Sequence, residues 1–157
     1  MNAKRRVLVA GIGNVFFRDD GFGVAVARRL AEDSLPAGAR VADFGIRGVH
    51  LAFELLDAPD LLILVDAMAR GGAPGTLYIV DPEVDSAPHA VADAHAMSPG
   101  AVFAALRGMG GTVPKARVVG CEPEDVREGM DLSLSVARAV EPAAALVRRL
   151  VEEEVKS

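Results

Sequence analysis

Residues 61–65 read Leu-Leu-Ile-Leu-Val, five apolar side chains enclosed by Asp60 and Asp66. Successive residues of a strand point to opposite faces, so a strand without alternation must be covered on both sides. Five residues are also far short of the ~20 that a bilayer span needs. The run is therefore a central strand of a parallel sheet held between helices. Its neighbours agree. Residues 6–10 form a short β-branched run that ends in glycines, and residues 39–44 read as a second strand. A turn built from Gly71, Gly72, Pro74 and Gly75 precedes a strand at 76–80, and residues 116–120 form the last strand. Between them, Phe22, Val26 and Leu30 recur at helical spacing through residues 23–31, with Arg28 and Arg29 turned outward. Residues 49–56 predict a short helix. Ser98-Pro99 is an N-cap followed by a first-turn proline, with Val102, Phe103 and Leu106 as that helix's apolar face. Residues 134–140 predict another short helix. Pro142 starts the last one, with Ala143, Leu146, Val147, Leu150 and Val151 as its stripe. The expectation is an α/β fold: a single mostly parallel twisted sheet of about five strands with helices on both faces, formed by residues 1–157 as one domain.

Composition removes whole classes of function. At 157 residues, with 51% hydrophobic and 25% charged, the chain can bury a core without staples and is neither disordered nor fibrous. Its net charge is −5 and its aromatic content 4%, so nucleic acid would find neither a basic footprint nor stacking platforms. The single cysteine cannot close an internal disulfide, which suits a reducing compartment, and no signal-like segment opens the chain. The expectation is a cytoplasmic protein with no membrane insertion.

In open α/β sheets, ligands gather at the carboxyl ends of the strands. Gly11-Ile12-Gly13-Asn14 leaves the first strand and is followed by Arg18-Asp19-Asp20-Gly21-Phe22-Gly23. As a dinucleotide fingerprint it fails, because Phe16 stands where the third glycine belongs. Asp19 and Asp20 also suit helix capping and dipole compensation. Asp66 follows the central strand directly, where a buried carboxylate is costly unless paired, hydrogen-bonded or bound to a cation. His95 stands just before the Ser98 helix, within a stretch (81–97) that reads as a long loop. His50 and His89 are weaker candidates, one on a predicted helix and one beside Pro88. Two carboxylates and one imidazole at three loop exits suit a divalent cation such as Zn, Ni, Mn or Fe. The metalloprotease helix His-Glu-x-x-His and the Gly-x-Ser-x-Gly elbow are both absent. Cys121 has acidic neighbours, Glu122, Glu124 and Asp125, which would raise a thiol's pKa, so it reads as structural.

These residues resemble the hydrogenase maturation proteases, the endopeptidases of nickel–iron hydrogenases. GIGNVFFRDDGFG is similar to their N-terminal signature, Asp43-Phe44-Gly45-Ile46-Arg47-Gly48 to their second-strand loop, and LLILVDA to their central strand. His95 occupies the place of their histidine. Gly120-Cys121-Glu122-Pro123 and Leu132-Ser133-Leu134-Ser135 look like their closing motifs, so the likeness runs over roughly residues 6–152. It implies an endopeptidase that removes the C-terminal extension of a hydrogenase large-subunit precursor after nickel insertion. It also implies that the nickel, supplied by the substrate, is read by Asp20, Asp66 and His95, and that other divalent cations can substitute in the isolated protein. Asp20 stands where the family commonly carries Glu, one methylene longer. Asp43 and Gly45 would contact substrate. Three alternatives stay open: a non-catalytic nickel-binding or docking chaperone for hydrogenase assembly, a nucleotide-binding α/β module, and a zinc hydrolase with its own stored metal.

Overall fold

The computed structural model describes residues 4–82 and 98–157. The sheet has five strands: β1 (Val7–Ile12), β2 (Ala39–Gly45), β3 (Leu61–Ala67), β4 (Leu77–Val80) and β5 (Ala116–Cys121). They lie in the order β2-β1-β3-β5-β4, all neighbours parallel except the β4–β5 pair, which is antiparallel. The helices are α1 (Phe22–Leu30), α2 (Gly48–Leu55), α3 (Pro99–Gly108), α4 (Leu134–Ala137) and α5 (Val140–Lys156). A 3-10 turn, Arg18–Gly21, leads into α1. The expected architecture is thus present, with the ends of several elements moved by one or two residues and one helix end moved by three. The helix expected over 134–140 stops at Ala137, and α5 begins at Val140 with Pro142 inside its first turn. The central strand continues past Val65 to include Asp66, which pairs across the sheet with Gly120.

The unalternating apolar run is explained by two cores, one on each face. Val7, Val9, Leu61, Ile63 and Val65 meet Phe22, Val26 and Leu30 of α1 and Ala143, Val147 and Val151 of α5. Leu8, Ala10, Leu62, Leu64 and Val118 meet Leu51 and Leu55 of α2 and Val102, Phe103 and Leu106 of α3. Every residue of 61–65 is 3% exposed or less. Burying such a side chain stabilises the fold by ~1.5–3 kcal/mol, so both helical layers are fastened to this strand. Ser98 caps α3 as expected, its hydroxyl accepting from the Ala101 N–H.

Helix α1 lies very close to the sheet. A Cβ on Gly23 would stand 2.0 Å from the Val65 carbonyl oxygen and 2.5 Å from that of Ile12, so only glycine fits there. Strand order reverses between β1 and β3, with β2 on one side and β5 on the other. Loops leaving the two strands part in opposite directions at such a point and open a crevice at their carboxyl ends. No helix among the described residues is long and apolar enough to cross a membrane.

Candidate functional site

Asp66 sits at that reversal point and is 6% exposed. Its Oδ1 is buried and without a hydrogen-bond partner. Burial, and then the nearby negative charge of Asp20, push its carboxyl well above the ordinary value of 3.8; the Ala67 amide offsets part of this. A buried carboxylate with a free oxygen and a like charge beside it is a poor structural element. It is a good cation ligand, since a cation relieves both penalties at once.

Asp20 is brought to Asp66 by the 3-10 turn, and its Oδ2 accepts from the Asn14 N–H at 2.8 Å. The approach depends on Gly13. Its φ of +129° is disfavoured for other residues, and its Cα lies against the Asp20 carbonyl.

Asp19 behaves differently from its neighbour. It is fully buried and accepts from the amides of Glu124 (2.8 Å), Asp125 (2.8 Å) and Ser133 (2.7 Å) and from the Ser133 hydroxyl (2.8 Å). Burial alone would raise its carboxyl; these donors, Ser133 foremost, hold it below the ordinary value. Helix capping, the alternative reading of Asp19 and Asp20, does not occur: neither the 3-10 turn nor α1 has a side-chain cap. The acidic pair instead divides its work, Asp19 anchoring the 124–133 segment and Asp20 facing Asp66.

Asp43 is at the carboxyl end of β2, where its Oδ2 accepts from Arg28 Nε at 3.2 Å. Gly45 (φ +54°) receives the Gly13 N–H on its carbonyl, tying the β2 loop to the β1 loop. The structure thus brings Asp20 and Asp66 together and sets Gly45 against Gly13, which adjoins both. His50 is exposed on α2, its ring tilted against that of Phe44 at 5.8 Å between centroids. His89 and His95 lie outside the described residues. Among the described residues no three His, Cys, Asp or Glu side chains form a metal cluster. Cys121 is buried, and burial followed by the charges of Asp19 and Glu122 raises its thiol to about 11. It is a packing residue, as expected, but burial is the main cause, and of its acidic sequence neighbours only Glu122 contributes.

Glu122 is a site-forming residue to which the sequence reading assigned no role. It is 6% exposed, and its Oε1 accepts from the Tyr78 hydroxyl (2.7 Å) and the amides of Arg70 (2.8 Å) and Gly72 (3.1 Å). The Tyr78 bond first, then the Arg70 amide, hold its carboxyl below the ordinary range. It thereby fixes the loop that follows Asp66. The available signal was a carboxylate directly after a buried strand, the same feature that marked Asp66.

The sequence model of the hydrogenase maturation protease (HycI) family matches residues 24–150. The chain belongs to this family. This maturation-protease chain is 36% identical over 144 residues to the hydrogenase expression/formation protein HupD of Rhodobacter capsulatus, covering 89% of this chain and 68% of that protein. It is 29% identical to the hydrogenase 2 maturation protease of Escherichia coli K12 over 94% of this chain and 92% of that one. The solved structure of the E. coli hydrogenase maturating endopeptidase HybD superposes with a TM-score of 0.81 at 31% identity, covering 95% of this chain and 93% of that chain. The family's sheet is therefore the scaffold on which Asp20 and Asp66 meet.

Proposed function

We propose that this maturation protease removes the C-terminal extension of a nickel–iron hydrogenase large-subunit precursor once nickel is in place, and that the precursor's nickel is its recognition element. The observation that carries this reading is the buried, unpartnered Oδ1 of Asp66 beside Asp20 at the carboxyl edge of the sheet. Carboxylate oxygens from Asp20 and Asp66, with the imidazole of His95, make a donor set suited to nickel and to other borderline divalent cations. With so few ligands of its own, the protein would take the metal only as the precursor presents it. Nickel held by these residues would fix the register of the scissile bond and supply a Lewis acid for its carbonyl or for a water.

The chain's own residues do the rest. The Asn14 amide orients the Asp20 carboxylate, Gly13 lets the β1 loop approach the Asp20 backbone, and Gly45 ties the β2 loop to Gly13. The same loops carry exposed apolar side chains, Phe16 at 60%, Phe17 at 39% and Ile46 at 60%, which supports a polypeptide as the substrate. Asp43 and Gly45 would contact that polypeptide.

The test is to incubate the purified protein with nickel-loaded and nickel-free precursor and to measure the precursor's mass. Loss of a short C-terminal peptide from the loaded form alone is the expected result. Binding without cleavage would make the protein a docking chaperone. Equal cleavage of both forms would remove nickel from the recognition step.

A further inference from the structure

The 3-10 turn that presents Asp20 is a single turn of four residues with no side-chain cap. A turn that short does not hold itself in place, since nucleation of helical structure is unfavourable without tertiary support. Its support comes from the 124–133 segment. The Arg18 N–H donates to the Gly129 carbonyl at 3.0 Å, the Asp19 N–H to the Asp125 carbonyl at 3.0 Å, and the Gly129 N–H to the Phe16 carbonyl at 2.8 Å. The Asp19 carboxylate adds four acceptor bonds from Glu124, Asp125 and Ser133. At three residues per turn, successive side chains diverge by roughly 120°, so fixing residue 19 into the protein sets the direction of residue 20.

We infer that Asp19 is a positioning residue: it touches no substrate, and its grip on Glu124, Asp125 and Ser133 sets where the Asp20 carboxylate stands relative to Asp66. The inference rests on the reading of Asp20 and Asp66 as the site. It assigns a role in that site to the segment around Ser133, which follows β5 and is far from Asp20 in sequence.

Three variants test it: Asp19→Asn, which turns one acceptor oxygen into a donor facing other donors; Ser133→Ala, which removes one hydroxyl bond; and Glu154→Gln. The last disturbs a buried carboxylate bound to Lys115 and Arg5, away from the site. The first readout is the carbon-13 shift of the Asp20 and Asp66 side-chain carboxyls at fixed neutral pH, with melting temperature alongside. Asp19→Asn is expected to move both carboxyl signals, Ser133→Ala to move them less and in the same direction, and Glu154→Gln to lower the melting temperature without moving them. The second readout is processing, where Asp19→Asn is expected to lower kcat about tenfold or more with little change in KM. Unmoved carboxyl signals in both site variants, or equal movement in Glu154→Gln, would overturn the inference. Should Asp19→Asn not fold, Ser133→Ala decides by the same signals. If the wild-type protein itself processes no precursor, the protease reading fails, and the carboxyl signals still decide the positioning role.

Discussion

A Cβ built on Gly13 would stand 1.9 Å from the Asp20 carbonyl oxygen and 3.5 Å from Asp66 Oδ1. One glycine therefore permits both the bend out of β1 and the approach of two acidic residues. Gly13→Ala must push the 3-10 turn away and adopt a φ disfavoured for alanine. The expected cost is about 2–5 kcal/mol in chemical denaturation, with processing lost even where the variant remains folded.

Asp66→Asn separates stability from function. Asp66 titrates above its ordinary value of 3.8 in the folded protein. Below that pH both folded and unfolded chains carry the proton and Asp66 brings no charge penalty. As the pH rises, the unfolded chain releases its proton first, so stability falls until the folded carboxyl ionises too. Asparagine has no such slope. In chelator-treated protein, denaturation at a series of pH values should show the stability of Asp66→Asn relative to wild type rising from about pH 4 upward. Processing by the variant should be abolished. A pH-independent difference would contradict the placement of this carboxyl.

His95→Ala should abolish processing while circular dichroism and melting temperature stay at wild-type values. Normal cleavage by this variant would remove His95 from the proposed ligand set.

Cys121 should be chemically silent. A buried thiol raised to about 11 has almost no thiolate at neutral pH. Iodoacetamide is expected to leave the folded protein unmodified by mass spectrometry and to label it after unfolding. Cys121→Ala should retain processing; loss of cleavage with the fold intact would reopen the thiol as a participant.

Glu122→Gln should loosen the loop behind Asp66, because the neutral amide is a weaker acceptor for the Tyr78 hydroxyl and the Arg70 and Gly72 amides. Faster hydrogen exchange at the Arg70 and Gly72 amides, with little change in α5, is the expected result. Unchanged exchange would mean that the turn glycines hold the loop unaided.

The sheet and its two helical layers were legible in the sequence because they follow from local periodicity. Leu61–Val65 carries no alternation, so it had to be covered on both faces, and the i, i+4 spacing of Phe22, Val26 and Leu30 made α1 one of the covers. The glycines and acids of residues 11–23 and the lone Asp66 were likewise visible as chemistry at strand exits. Their division of labour was visible only in part. The family resemblance marked Asp20, but Asp19 is adjacent and identical in kind, and nothing in the sequence gave it a role beyond capping. What separates them is the 124–133 segment, more than 100 residues away, whose amides converge on Asp19 and leave Asp20 to face Asp66. Glu122 was hidden for the same reason, since its partners Tyr78, Arg70 and Gly72 belong to another strand and its preceding loop. Periodicity is a local property that a chain carries before it folds. The environment of a carboxylate is set by which distant donors and charges the fold brings to it, and only the tertiary structure decided that.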